Sequence, residues 1–99
     1  MLPFEHLKKS NTIDNLWTYI LTLAKEGPIY AYKAKKDIEK NFCFKTGTVS
    51  VYRVLYRLEV DGFVKSDIVK RRRIYKITEK GKEELKKAKN FYQKIIGNL

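Results

Sequence analysis

Arg53 and Arg57 stand one helical turn apart with Tyr52 and Tyr56 beside them, and further along comes the run Lys70-Arg71-Arg72-Arg73. A guanidinium can fork onto two acceptors at once, and the O6 and N7 atoms of guanine offer such a pair, a contact worth roughly 1–3 kcal/mol of discrimination. The same two arginines could instead settle on phosphates. Tyr52 and Tyr56 suit a phosphate or a thymine methyl, or simply a neighbouring helix. Thr46, Thr48 and Ser50 fall where a helix begins, and hydroxyls beside free amide N–H groups either receive a phosphate or cap the helix, roles that can coexist. Lys45 reads as a further phosphate contact. Lys70, Arg71, Arg72 and Arg73 form the tip of a wing, and because Arg73 alternates into a strand, Arg71 and Arg72 are the stronger contacts. The set suits the groove and backbone of duplex DNA.

The elements that must hold these groups can be read from spacing. Val51, Val54, Leu55 and Leu58 form a narrow apolar stripe at helical period, which leaves Val49, Tyr52, Arg53, Tyr56 and Arg57 outside. Asp61-Gly62 closes that helix. Two earlier helices precede it. Ile13, Leu16, Trp17, Ile20, Leu21 and Ala24 recur at helical spacing, with Ser10, Asn11 or Thr12 available as N-cap. Gly27-Pro28 ends this helix, Gly27 being able to take a left-handed terminal conformation. A shorter helix, about Ala31 to Asn41, turns Ala34 and Ile38 inward. Phe63 to Ser66 and Ile74 to Ile77 alternate as two strands around a loop at 67–73, and Thr78 caps a last helix reaching about Gly97. Residues 1–10 read as an arm or a short helical lead-in. Cys43, between Phe42 and Phe44, reads as a small core side chain.

Charge supports the same partner. The 99 residues carry a formal charge of +11, which favours a polyanion. Residues 45–78 hold nine basic and three acidic side chains, so more than half of the excess lies on the third helix and the hairpin. Catalysis finds no footing: His6 is the single histidine, Cys43 the single cysteine, and neither an acid pair nor a Gly-rich phosphate loop accompanies them. Metal ligation lacks a cluster, and no cofactor is expected. No stretch approaches the roughly 20 apolar residues of a membrane span, and no signal-peptide pattern is visible, so a cytoplasmic, nucleoid-associated protein with no membrane partner is expected.

Helix, helix, helix, hairpin, helix gives an α+β, mainly α fold: a winged helix-turn-helix with a two-stranded wing and an additional C-terminal helix. Three blocks of sequence resemble the PadR-like family of winged-helix transcriptional regulators. Gly27-Pro28-Ile29-Tyr30-Ala31-Tyr32 is similar to the segment leading into that family's second helix, where Gly-Tyr commonly fills the last two positions. Tyr52, Leu55, Arg57-Leu58-Glu59 and Gly62-Phe63-Val64 match its Tyr-x-x-Leu-x-Arg-Leu-Glu-x-x-Gly-Leu-Val. Arg72-Arg73-Ile74-Tyr75-Lys76-Ile77-Thr78-Glu79-Lys80-Gly81 is similar to its Arg-x-Tyr-x-Leu-Thr-x-x-Gly segment. The likeness spans about residues 16–90. Val49-Ser50 stands where the family has Gly-Thr, and Arg53 where it usually has Pro.

Leu85, Ala88, Tyr92, Ile95 and Leu99 recur at heptad rhythm, widened by Phe91 and Ile96. This seam suits either a partner helix or the chain's own first helix. The resemblance implies the former, a homodimer whose two recognition helices lie one DNA turn apart on a pseudo-palindrome. Leu2, Pro3 and Phe4 could add an arm. The division expected is a winged-helix DNA-binding domain over 1–78 with an N-terminal arm, and a C-terminal dimerisation helix over 79–99, in one compact unit. Some PadR-like regulators answer to small aromatic effectors held between subunits, and Trp17 with the tyrosines could line such a pocket, although aromatics at this spacing also make ordinary core. The expected function is a sequence-specific DNA-binding transcriptional regulator, a homodimeric repressor. The alternatives are a sequence-tolerant architectural DNA-binding protein and a winged-helix module for a protein partner.

Overall fold

The computed structural model describes residues 2–99. The elements in order are α1 (Pro3–Ser10), a 3₁₀ turn (Ile13–Asn15), α2 (Leu16–Glu26), α3 (Ala31–Phe42), α4 (Thr48–Val60), β1 (Val64–Val69), β2 (Arg72–Ile77) and α5 (Glu79–Asn98). The lead-in is therefore a helix, with Pro3 at its first turn, where the missing N–H costs nothing. Met1 of the expected arm lies outside the described residues.

One core joins the three central helices to the hairpin. Leu16, Ile20 and Leu21 of α2 meet Ala34 and Ile38 of α3, Val51, Leu55 and Leu58 of α4, and Val64 and Tyr75 of the strands, all buried. Ile20, Leu21, Ile38 and Leu55 are sealed completely, and each such side chain stabilises the fold by roughly 1.5–3 kcal/mol. Val54 sits at the edge of this core, half-buried. The inward stripe read from sequence is thus the face of α4 that packs.

Several local expectations are corrected. Asn11 and Thr12 do not cap α2. Asn11 Nδ2 donates to the Leu7 carbonyl at 2.9 Å and Thr12 Oγ1 to the Lys8 carbonyl at 2.7 Å, so they satisfy the free carbonyls at the end of α1 instead. Ser10 ends α1, and its carbonyl accepts from the Asn15 side chain. Gly27 leaves α2 at φ 159° and ψ 171°, extended rather than left-handed. The left-handed helix terminus belongs to Cys43, at φ 60° and ψ 33°, and this turns its thiol out to solvent rather than into the core. Its neighbours Phe42 and Phe44 do pack inward, each edge-on to Tyr19 with ring centres 4.8 and 4.9 Å away.

The hairpin is longer than its alternation suggested. β1 and β2 pair antiparallel from Val64↔Ile77 to Val69↔Arg72, which leaves only Lys70 and Arg71 in the turn, at φ 49° and 66°. Positive φ at both central residues is the type I′ geometry that suits the twist of a tight hairpin. Ile29, in the turn between α2 and α3, adds a bridge to the outer edge of β2: its N–H donates to the Tyr75 carbonyl at 3.0 Å, and the Tyr75 N–H returns a bond at 2.7 Å.

Thr78 caps α5 as expected, its Oγ1 accepting from the Gly81 N–H at 3.1 Å while donating to the Gly62 carbonyl at 2.7 Å. Gly81 is buried where α5 comes close to the chain after α4, and an added Cβ would lie 2.2 Å from the Phe63 carbonyl oxygen. The first half of α5 packs on α2 through Leu85. Beyond Tyr92 it projects, with Ile95, Ile96 and Leu99 exposed, as is Phe91 before it.

Candidate nucleic-acid interface

α4 starts after Gly47, which offers no side chain as a cap. The N–H groups of its first turn therefore lack a side-chain partner, with the hydroxyls of Thr46, Thr48 and Ser50 close in sequence and Lys45 exposed just before them. One helical face, exposed throughout, carries Val49, Tyr52, Arg53 and Tyr56. Tyr52 and Tyr56 point to solvent rather than into α3. Arg57 lies on the flank towards α2, where its Nε holds the Asp61 carboxylate at 3.1 Å. Arg53 also borders this flank but has no acidic partner among the described residues, so it is the freer of the two.

The basic run divides into three kinds of group. Lys70 and Arg71 form the exposed tip. Arg72 opens β2 and lies over the Tyr30 ring, its guanidinium carbon 3.9 Å from the centroid, a stacking worth about 0.5–1 kcal/mol at an exposed site. Arg73 donates from Nη1 to Ser66 Oγ at 2.8 Å, and Ser66 in turn donates to the Glu59 carboxylate. This relay ties the wing to α4. Neither the Tyr30–Arg72 stacking nor the Arg73–Ser66–Glu59 relay could be read from the sequence, because the first joins residues far apart along the chain and the second runs between the two strands and from β1 back to α4. Burial pushes the phenols of Tyr75 and Tyr19 upward, with Glu59 adding to the effect at Tyr75. Both stay protonated and neutral at physiological pH.

An open groove of about 440 Å³ lies between α2, α4 and α5, with Leu16, Trp17, Val54 and Phe63 in its wall and Arg53, Arg57 and Glu84 at its rim. Tyr19 is elsewhere, in the aromatic cluster with Phe42 and Phe44. No helix among the described residues is long and apolar enough to cross a membrane.

Two consecutive left-handed residues with long cationic side chains are costly in a turn that Asn-Gly fills best. Replacing Lys70-Arg71 by Asn-Gly is expected to raise the thermal midpoint and to weaken DNA binding. The slope of log affinity against log salt should fall by about 1.8 per protomer, two phosphate contacts at roughly 0.9 each. An unchanged slope would remove the tip from the interface.

A basic hairpin beside an exposed helix that is braced from behind by two others defines the winged-helix class of DNA-binding proteins. The model of the PadR-like family of transcriptional regulators matches residues 20–87, more than half of the chain, and the chain belongs to that family. It is a DNA-binding transcriptional regulator, and the family is non-enzymatic. Among solved structures, a transcriptional regulator from Clostridium thermocellum superposes with a TM-score of 0.79 at 24% identity, covering 100% of this chain and 98% of that one. A PadR family regulator from Clostridium difficile gives 0.73 at 22%, covering 83% and 94%. A transcriptional regulator from Thermoplasma acidophilum gives 0.68 at 26%, covering 87% and 89%. None of the curated proteins matches the chain.

Proposed function

We propose that the protein is a homodimeric repressor that reads a pseudo-palindromic operator through α4 and the wing, and that it resides with the nucleoid in the cytoplasm. The observation that carries the reading is the pairing of an uncovered α4 face with a cationic wing tip, fixed to one another by the Arg73–Ser66–Glu59 relay. The first turn of α4 receives a phosphate on its amides, assisted by Lys45, Thr46, Thr48 and Ser50. Arg53, Arg57, Tyr52 and Tyr56 face the major groove. Lys70, Arg71 and Arg72 follow the backbone or enter the minor groove, while Arg73 holds the wing in place.

The second protomer covers the outer part of the α5 seam, Ala88, Phe91, Tyr92, Ile95, Ile96 and Leu99, most of which is exposed within its own chain, while Leu85 packs on α2 of its own protomer. The groove beside Trp17 is then the place for a small aromatic effector, and the quenching of this single tryptophan would report its binding.

Selection from a random duplex library at physiological salt with competitor DNA tests the reading. An enriched inverted repeat supports it, whereas binding without enrichment favours an architectural protein and no binding favours a protein partner. Arg53→Ala is expected to lose about 1–3 kcal/mol of discrimination at one base pair, and Arg57→Ala less, because Asp61 already holds Nε. Titration over a panel of single-base operator variants checks this, and a uniform loss across the panel would assign Arg53 to a phosphate.

A further inference from the structure

The outer face of α4 presents apolar and aromatic side chains to solvent. Val49 is 66% exposed, Tyr52 53% and Tyr56 69%, and positions 49, 52 and 56 follow one another along a single helical face. No other part of the chain covers Val49, and valine is a poorer helix former than alanine, so neither packing nor propensity accounts for an exposed β-branched side chain in the first turn. Arg57 is drawn aside by Asp61, which leaves Arg53, among the described residues, as the free cation amid this stripe.

An exposed apolar stripe often marks a protein contact. Here it is bordered by Lys45, Arg53 and the wing, within a segment holding nine basic and three acidic side chains, and that surround favours a polyanion. The apolar group that duplex DNA presents on its base edges in the major groove is the C5-methyl of thymine.

We infer that α4 selects its half-site by thymine methyl groups, which Val49 contacts directly while Tyr52 and Tyr56 extend the apolar surface. The inference rests on the DNA-binding reading of α4 given above and names the chemical feature that this face selects. Thymine therefore stands opposite the first turn of α4, and any guanine read by Arg53 lies beside it.

The test uses the full chain and the duplex most enriched from a random library, resynthesised with deoxyuracil at each thymine in turn. This keeps every hydrogen-bonding group and removes one methyl. At one or two positions in each half-site the affinity should fall about three- to fivefold, the size expected from withdrawing one buried methyl group. Val49→Ala should bind the parent duplex more weakly and lose the deoxyuracil effect at one of those positions, while Arg53→Ala should keep it. Affinity unchanged by deoxyuracil at every thymine would overturn the methyl reading and leave DNA binding intact. An equal deoxyuracil effect in Val49→Ala and the parent would overturn the role of Val49. If no duplex is enriched at all, the sequence-specific reading of α4 falls and the inference falls with it.

Discussion

Gly81→Ala is expected to destabilise the fold by about 1–3 kcal/mol or more, the usual range for overfilling a packed site. The added methyl would lie 2.2 Å from the Phe63 carbonyl oxygen and 2.8 Å from Ile77 Cγ1. The carbonyl cannot yield easily, since it accepts the Thr78 N–H at 3.1 Å, and Thr78 is itself the cap of α5. Relief would have to lift α5 away from the hairpin and so disturb the cap as well. For a chain of this length each kcal/mol shifts the thermal midpoint by roughly 4–8 °C, so the change should be plain in a melting curve. A variant that melts with the parent would show that the junction between β2 and α5 is looser than its geometry requires.

The second large effect is expected at the far end of the same helix. Ile95→Glu should leave the protomer folded, because Ile95 is exposed and lies outside the core. In the proposed dimer the same side chain is covered by the partner, and an unpaired carboxylate there is strongly unfavourable. Analytical ultracentrifugation should show the mass of a single chain, with helical content by circular dichroism unchanged. Operator affinity should fall about 10²-fold or more, because two linked half-sites bind with an advantage of that order over one. Tyr92→Glu should act in the same direction, although Tyr92 is half-buried and part of the loss would come from folding. If Ile95→Glu remains dimeric, the contact between protomers lies elsewhere, with the exposed Leu2, Phe4 and Leu7 around α1 as the next surface to alter.

Period and punctuation carried most of the architecture. The stripe Val51, Val54, Leu55 and Leu58 identified the packed face of α4 because burial leaves a 3.6-residue signature that needs no knowledge of the partner. Thr78 was legible as a cap for the same local reason. The hairpin turn was not, since the usual Asn-Gly signal is absent and two cationic residues occupy left-handed positions in its place. The strands therefore looked shorter than they are. Cys43 misled because its aromatic neighbours suggested burial, whereas a left-handed residue at the end of α3 reverses the direction of the chain and turns the thiol outward. Tyr30 under Arg72 pairs residues remote in sequence, and Glu59 behind Ser66 and Arg73 joins a helix to a hairpin; a periodic pattern within one element contains neither. The charge run located the wing correctly but could not say that its four members have three different duties.

The bridge between Ile29 and Tyr75 has a bearing on how an operator is measured out. It stitches the wing to the turn before α3, and the close seat of Gly81 clamps the root of α5 to the same body. Each protomer is then stiff from wing tip to the middle of α5. In the proposed pair of such bodies, the span between the two α4 helices would be set at the contact between protomers. One base pair added between the half-sites turns one of them by about a tenth of a helical turn, a rotation that neither body can follow by bending. For the proposed dimer, spacer length is thus expected to be recognised as strictly as any base, although no side chain touches it.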